Sequence, residues 1–283
     1  MQSYQFKHDF YFDAGANALG GTLIEPQTRP IPSQASVSLP AAGGVATART
    51  EAFNLEGIIS CAATSTGVLG VKNPDGSARL LVTAVVEGLN LLDVVTARLL
   101  VAKIAIDIPA TAGPRRLSLV GSQIDGLRLG GVEARPRFVS ELRLPKPDVN
   151  GTMPNLTWED FERVGRSQAD ALLCCDGARD CSDAKDWLEG RFGWMTTGRG
   201  RDGCPYSLSS LFHTVTAVDD VIPGRVFGHV IELPAFGRIF LGEIVASPDI
   251  VQLTMLRAEL GCAVSGSASA ASVNGNGNRV PPI

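Results

Sequence analysis

Aromatic residues make up only 6% of this 283-residue chain, and three histidines occur, His8, His213 and His229. With so few rings, the core has to be built from Val, Ile, Leu and Ala, within an apolar content of 45%. The three histidines lie in separate regions, so a Ser-His-Asp or Cys-His set would have to be assembled around one of them. Charge is sparse too, at 19% of residues with a net of −4, which argues against general affinity for nucleic acid or an anionic membrane. No run of ~18 uncharged apolar residues appears, and Met1 to Phe10 holds no apolar stretch fit for a signal peptide. The expectation is a protein without a membrane span, cytoplasmic by default.

Several reaction classes are missing their marks. There is no Gly-x-Ser-x-Gly elbow, Walker loop, dinucleotide fingerprint or His-Glu-x-x-His. His213 and His229 read as strand residues. Asp176, Asp180, Asp183 and Asp186 crowd together without the alternating order of a calcium loop, and some coincide with an expected helix start, where acids favour the dipole. No catalytic residue, metal site or cofactor is therefore assigned. The length suffices for one large all-β domain or two smaller ones, with a core that needs no disulfide or metal staple.

What is present is a repeat. Glu51-Ala52-Phe53-Asn54-Leu55 recurs as Glu87-Gly88-Leu89-Asn90-Leu91 and as Asp125-Gly126-Leu127-Arg128-Leu129, starting 36 and 38 residues apart. An aliphatic residue stands seven positions after each acid, at Ile58, Val94 and Val132. Such a period signals supersecondary units that cannot bury their apolar faces alone. The central Gly or Ala followed by a large apolar residue suggests a bend in a long strand, with the acid facing solvent, so that units kinked alike stack in register. Asn73-Pro74-Asp75-Gly76 is a turn between two strand-like runs, and Leu91 to Ile108 reads as strand rather than helix.

The flanks differ. Pro26, Pro30, Pro32 and Pro40 fall among Gln, Ser and Gly, which suits an extended arm over residues 1–45. A repeated β segment follows over 46–147. Residues 148–207 hold all three tryptophans, Trp158, Trp187 and Trp194, and four of the six cysteines, Cys174, Cys175, Cys181 and Cys204. Thr157 with Asp160 caps an expected helix carrying Trp158, Phe161, Val164 and Leu172. A second, short helix is expected from Ser182 until Gly190 and Gly193 end it. This helical insertion interrupts one β-domain, which resumes over 208–272 with a small-residue edge strand and gives way to a flexible tail over 273–283.

The thiol cluster has three readings: free thiols, one disulfide such as Cys181 to Cys204, or a soft-metal site. The gaps of zero, five and 22 residues depart from paired zinc knuckles. Cys61 and Cys262 read as small core residues.

The stretches Val86-Glu-Gly-Leu-Asn-Leu-Leu-Asp-Val-Val-Thr-Ala97 and Phe236-Gly-Arg-Ile-Phe-Leu-Gly-Glu-Ile244 resemble bacterial proteins grouped as choice-of-anchor P-like, over about residues 45–145 and 208–265. The resemblance implies a β-rich architecture and carries over no activity. The fold expected is mainly β, a twisted β-sandwich or stacked-strand domain with internal repeats and a small helical insertion. The function expected is a non-catalytic structural or assembly protein, forming a homo-oligomer or engaging a protein partner through its arm and sheet edges. The alternative is a carbohydrate-binding module or glycan-active enzyme that uses Trp158, Trp187 and Trp194 as stacking surfaces.

Overall fold

A computed structural model describes residues 10–111, 113, 115–143, 156–174, 184–196, 206–261 and 264–279. The strands in chain order are β1 (Phe10–Glu25), β2 (Arg29–Ser38), β3 (Gly44–Thr50), β4 (Phe53–Leu55), β5 (Ile59–Cys61), β6 (Ala63–Lys72), β7 (Ala78–Leu91) and β8 (Val95–Ile108). Then come β9 (Arg116–Ser118), β10 (Gln123–Asp125), β11 (Arg128–Leu129) and β12 (Val132–Phe138), followed by the helices α1 (Ser140–Arg143), α2 (Trp158–Leu173) and α3 (Lys185–Thr196). The chain finishes with β13 (Ser207–Ser210), β14 (Phe212–Ala217), β15 (Arg225–Phe227), β16 (Val230–Leu233), β17 (Gly237–Ala246), β18 (Val251–Gly261) and β19 (Ser265–Arg279).

These strands form two antiparallel sheets in a sandwich-like arrangement. The first runs β15-β16-β17-β18-β19-β1-β2, with β13 also on β17. The second is centred on β7 and β8 and takes in β3 to β6, β9 to β12 and β14. Period-two alternation decides which side chains meet between them. Leu80, Val82, Ala84 and Val86 of β7 and Leu100, Ala102, Ile104 and Ile106 of β8 are all buried. Opposite them the first sheet presents small groups. A Cβ added at Gly275 would lie 3.0 Å from Leu80 Cδ2 and 3.1 Å from Ile106 Cδ1, and one at Gly277 would lie 3.0 Å from Ile108 Cδ1. Large residues on one sheet thus fill the space that small ones leave on the other.

The repeats are hairpin ends. Leu55 pairs with Ile59, Leu91 with Val95 and Leu129 with Val132 across three tight turns. In the first two, the Asn side chain two residues before the turn accepts a hydrogen bond from its backbone, Asn54 Oδ1 from Gly57 N–H at 2.9 Å and Asn90 Oδ1 from Asp93 N–H at 2.8 Å. Neighbouring tips are bonded in series: Leu92 N–H donates to Ile58 C=O at 3.0 Å, and Gly130 N–H to Val94 C=O at 2.7 Å. Gly88 and Gly126 have φ of +62° and +61°, and each abuts the next strand, where a Cβ would come within 2.9 Å of Ala62 Cβ and 2.7 Å of Arg98 Cβ. The bend is therefore present at Gly88 and Gly126, and the units stack in register, whereas Ala52 of the first repeat lies outside a strand. The acids do not form a common site: Glu51 faces Arg49 at 3.5 Å, and Asp125 pairs with Arg98.

Both flanks differ from expectation. Residues 10–38, expected within an extended arm, are β1 and β2, and β1 sits between β19 and β2 inside the first sheet. The prolines had masked an alternation that starts at Phe10, with Phe10, Phe12, Ala14 and Ala16 all buried. The small-residue segment expected at an edge, and the tail expected to be flexible as far as Arg279, form β19, which is hydrogen-bonded to β18 on one side and β1 on the other. Ala and Gly carry little hydrophobic signal in a sequence but fit a strand facing large side chains.

The insertion packs on the outer face of the first sheet. Asp160 accepts from Thr157 N–H at 2.9 Å, the return half of the expected capping box. Phe161, Val164 and Leu172 are buried as the spacing predicts. Gly165 lets α2 approach β13 so closely that a Cβ would lie 2.3 Å from Leu208 O. Next to it, the buried Gln168 amide donates to Ser210 O (3.0 Å) and Phe212 O (3.1 Å) and accepts from Ser210 N–H (2.7 Å). The chain leaves the first sheet for the second at this point, and one side chain supplies the bonds that the broken ladder lacks. α3 runs to Thr196, through Gly190 and Gly193 rather than ending at them. Each glycine costs roughly 1 kcal/mol relative to Ala in a helix, and the buried Leu188, Phe192 and Met195 outweigh it.

Candidate functional site

The cap covers charge as well as apolar surface. On the outer face of the first sheet the register places Arg225 opposite Glu232, Glu232 opposite Arg238, and Arg238 opposite Glu259, an alternating ladder across β15, β16, β17 and β18. Arg225 grips Glu232 through two bonds of 2.9 and 2.5 Å. Beside the ladder Glu243 is buried with its side chain only 7% exposed, and it accepts from Arg257 Nε at 2.6 Å and Arg191 Nη2 at 2.7 Å. Arg257 also bonds Glu259. Both guanidiniums lie over the Phe240 ring, Arg257 at 3.8 Å and Arg191 at 4.4 Å. Burial alone would raise the Glu243 pKa; the hydrogen bond and charge of Arg257, with Arg191, outweigh it and hold the carboxyl below its ordinary value.

His229 lies at the base of this cluster, in the turn between β15 and β16 rather than in a strand. It is buried, its ring meets Phe192 edge-on at 5.8 Å, and its Nε2 has no partner among the described residues. Burial pushes its pKa down to about 4; Glu243 opposes the shift, and Arg191 and Arg257 add to it. His213 is exposed on β14, so the two described histidines do not form a catalytic pair.

Above the network, α3 and the sheet enclose an open groove of about 560 Å³, whose walls include Trp187, Arg191, Trp194, Tyr206, Arg238 and Glu259. Trp194 leans on Tyr206 with ring centroids 4.9 Å apart, and its Nε1 donates to Arg191 O at 2.7 Å. Trp187 is more deeply committed, with Phe227 at 5.9 Å, Phe192 at 6.5 Å and the Arg238 guanidinium 4.2 Å over its ring. Two of the three sequence-selected tryptophans therefore share one groove, Trp194 as wall and Trp187 mainly as cap core. Trp158 lies apart, in a smaller cleft of about 200 Å³ with Arg115, Glu159 and Ile250. Arg238, Glu243 and Glu259 were not singled out from the sequence. Their signal was the strict alternation Arg225, Glu232, Arg238 on neighbouring strands, which means nothing until the register is known.

The thiol cluster is not assembled among the described residues. Cys174 is exposed at the end of α2, whereas Cys175, Cys181 and Cys204 lie outside the described residues. Cys61 is buried in the core, and burial raises its thiol pKa. Among the described residues no group of three or more His, Cys, Asp or Glu could hold a metal ion, and no helix is long and apolar enough to cross a membrane.

A larger opening of about 680 Å³ lies where β12 diverges from β10, lined by Arg135, Pro136, Arg137 and Arg143. Its features have a protective explanation: proline and charged side chains blunt a strand edge that would otherwise pair with another chain. Arg143 lies 4.1 Å over Phe138, and Arg135 faces Glu133 at 3.5 Å.

The class defined by these elements is an antiparallel two-sheet sandwich whose helical cap holds an aromatic and charged groove over a buried ion network. The chain belongs to the family described as Domain of unknown function (DUF8256), whose family model matches residues 10–247. No curated protein and no solved structure matches it.

Proposed function

We propose that the protein is a non-catalytic binding protein and that its ligand is a carbohydrate held in the α3 groove. One observation carries this reading: Trp194 and Tyr206 stand beside Arg191, Arg238 and Glu259 in a single opening. An aromatic wall takes the C–H face of a sugar ring, while charged side chains take its oxygens. Arg191 is preorganised for this role, because Glu243 fixes its guanidinium from below. The reading is tested by titrating oligosaccharides while following tryptophan fluorescence and heat. Binding that quenches the fluorescence and weakens at least tenfold in Trp194→Ala is expected; indifference across a broad panel would sink the idea.

A second reading, self-association, has its own support on the opposite face. The register aligns Val45, Leu69, Leu81 and Ala105 in one outward row of the second sheet, and Arg49, Ser65, Val85 and Val101 in another. Val45 is 69% exposed on β3, which among the described residues pairs with β6 alone. An apolar row ending at an open strand suits pairing with a second copy. Sedimentation of the untagged protein tests it, and a monomer at high concentration would count against it.

A further inference from the structure

Resting on the groove reading, we infer that the ligand is an acidic saccharide, a glycan chain bearing carboxylates. Two independent observations carry this. The first is charge. The ion pairs beneath and beside the groove fall into two sets: a closed ring of Arg191, Glu243, Arg257 and Glu259, which is neutral, and a chain Arg225–Glu232–Arg238, which begins and ends on arginine with one positive charge in excess. That excess stands out in a chain of net −4. Arg238 carries it to the groove: its ion pair among the described residues is a long one, 3.6 Å to a Glu232 already gripped by Arg225, and its side chain is 33% exposed. A guanidinium in this state offers planar paired donors to a carboxylate.

The second observation is an open side to the groove at Gly190, which is exposed. Gly190 lines the groove in mid-helix, and a Cβ there would meet nothing within 4 Å among the described residues; Gly193, further along α3, is equally bare. Neither close packing nor a left-handed backbone calls for glycine at these positions. A helix that gives up propensity without gaining contact leaves room, and here the room adjoins the Trp194–Tyr206 wall and Arg238. The arrangement supplies a ring-stacking wall, a cationic anchor and clearance for a flat pyranose between them.

The experiment is calorimetric titration with tetragalacturonate, oligomannuronate and oligoglucuronate, each beside its carboxyl-reduced neutral counterpart, with polyacrylate as a polyanion lacking sugar. At least one acidic oligosaccharide is expected to bind tenfold or more tightly than its neutral counterpart and than polyacrylate, weakening as salt is raised. Arg238→Gln should erase the preference for the acid, weakening the acidic oligosaccharide at least tenfold more than its neutral counterpart. Gly190→Phe should abolish both while keeping or raising the melting temperature, because the new ring points into space rather than into the core. Equal affinity for acidic and neutral forms would overturn the inference and leave the groove reading standing. Equal binding of polyacrylate would overturn it as charge alone. Binding that survives Gly190→Phe, or no binding by any probe, would overturn both.

Discussion

The two outer faces of the sandwich are built from the same kind of strand and treated in opposite ways. The second sheet leaves its outer face bare, with aliphatic and polar rows such as Val45, Leu69, Leu81 and Ala105 half open to solvent. The first sheet hides part of its outer face under α2 and α3, and what it hides there includes arginine, glutamate and histidine. Burial here does not follow hydrophobicity. The cap excludes water from charges that must then satisfy one another, which fixes Arg191 at the groove at a cost in desolvation.

The comparison can be broken most strongly at Glu243. Glu243→Ala leaves Arg191 and Arg257 with only the more exposed Glu259 between them, and about 3–5 kcal/mol of cap stability is expected to be lost. All three tryptophans lie in the cap helices, so tryptophan fluorescence reads the cap while far-UV dichroism reads the strands. The fluorescence transition should move to lower denaturant first; coincident loss of both signals would mean that cap and sandwich unfold as one unit.

Acid attacks the same place. The unfolded His229 imidazole takes up its proton near pH 6.5, the folded one only near pH 4. Between those values the unfolded chain binds more protons, so stability present above pH 6.5 falls as pH drops, by about 3 kcal/mol in total. Glu243, whose folded pKa is lowered, adds loss in the same direction as pH falls below the ordinary carboxylate value. Denaturant midpoints of the native protein and His229→Phe should therefore diverge across this range. Parallel curves would show that His229 is not what senses the acid.

Gly277→Ala tests the sandwich interior instead. Its new Cβ meets Phe10 and Ile108, and about 1–3 kcal/mol is expected to be lost, as for an overpacked core. The strand signal should shift more than the groove's affinity. At the bare face, Val45→Lys should change stability by no more than about 0.5 kcal/mol, as at exposed positions generally, yet dissociate any oligomer that uses the β3 edge. An unchanged sedimentation coefficient in an oligomeric protein would place the contact elsewhere.

The fold was legible where a signal is local. The turn at Asn73 to Gly76, the strand over Val95–Ile108, the capping box at Thr157 and Asp160, and the repeated phrase itself are each written within a few residues of one another. The arm and the tail were misread because β2 carries Pro30 and Pro32 and β19 is built of Gly, Ala, Ser and Asn, residues whose place in a sheet depends on the strands they meet. The helix end at Gly190 was misread because propensity counts against glycine wherever it stands, while Leu188, Phe192 and Met195 bury more than it costs. The site was legible only in its aromatic half. Trp187 and Trp194 were visible as a cluster, and nothing in the order of residues separates Trp158 from them.

By itself the sequence determined a β-rich chain with a repeated, stacked unit, an apolar core poor in rings and one helical insertion, because periodicity, turn chemistry and caps act over short distances. Tertiary structure alone decided that Arg191 of α3 meets Glu243 of β17 and Arg257 of β18, and that Arg238 of β17 faces the same groove as Trp194. Those residues are far apart in the chain, and a charge acquires its partner, its pKa and its ligand only from what the register and the cap bring within a few ångströms of it.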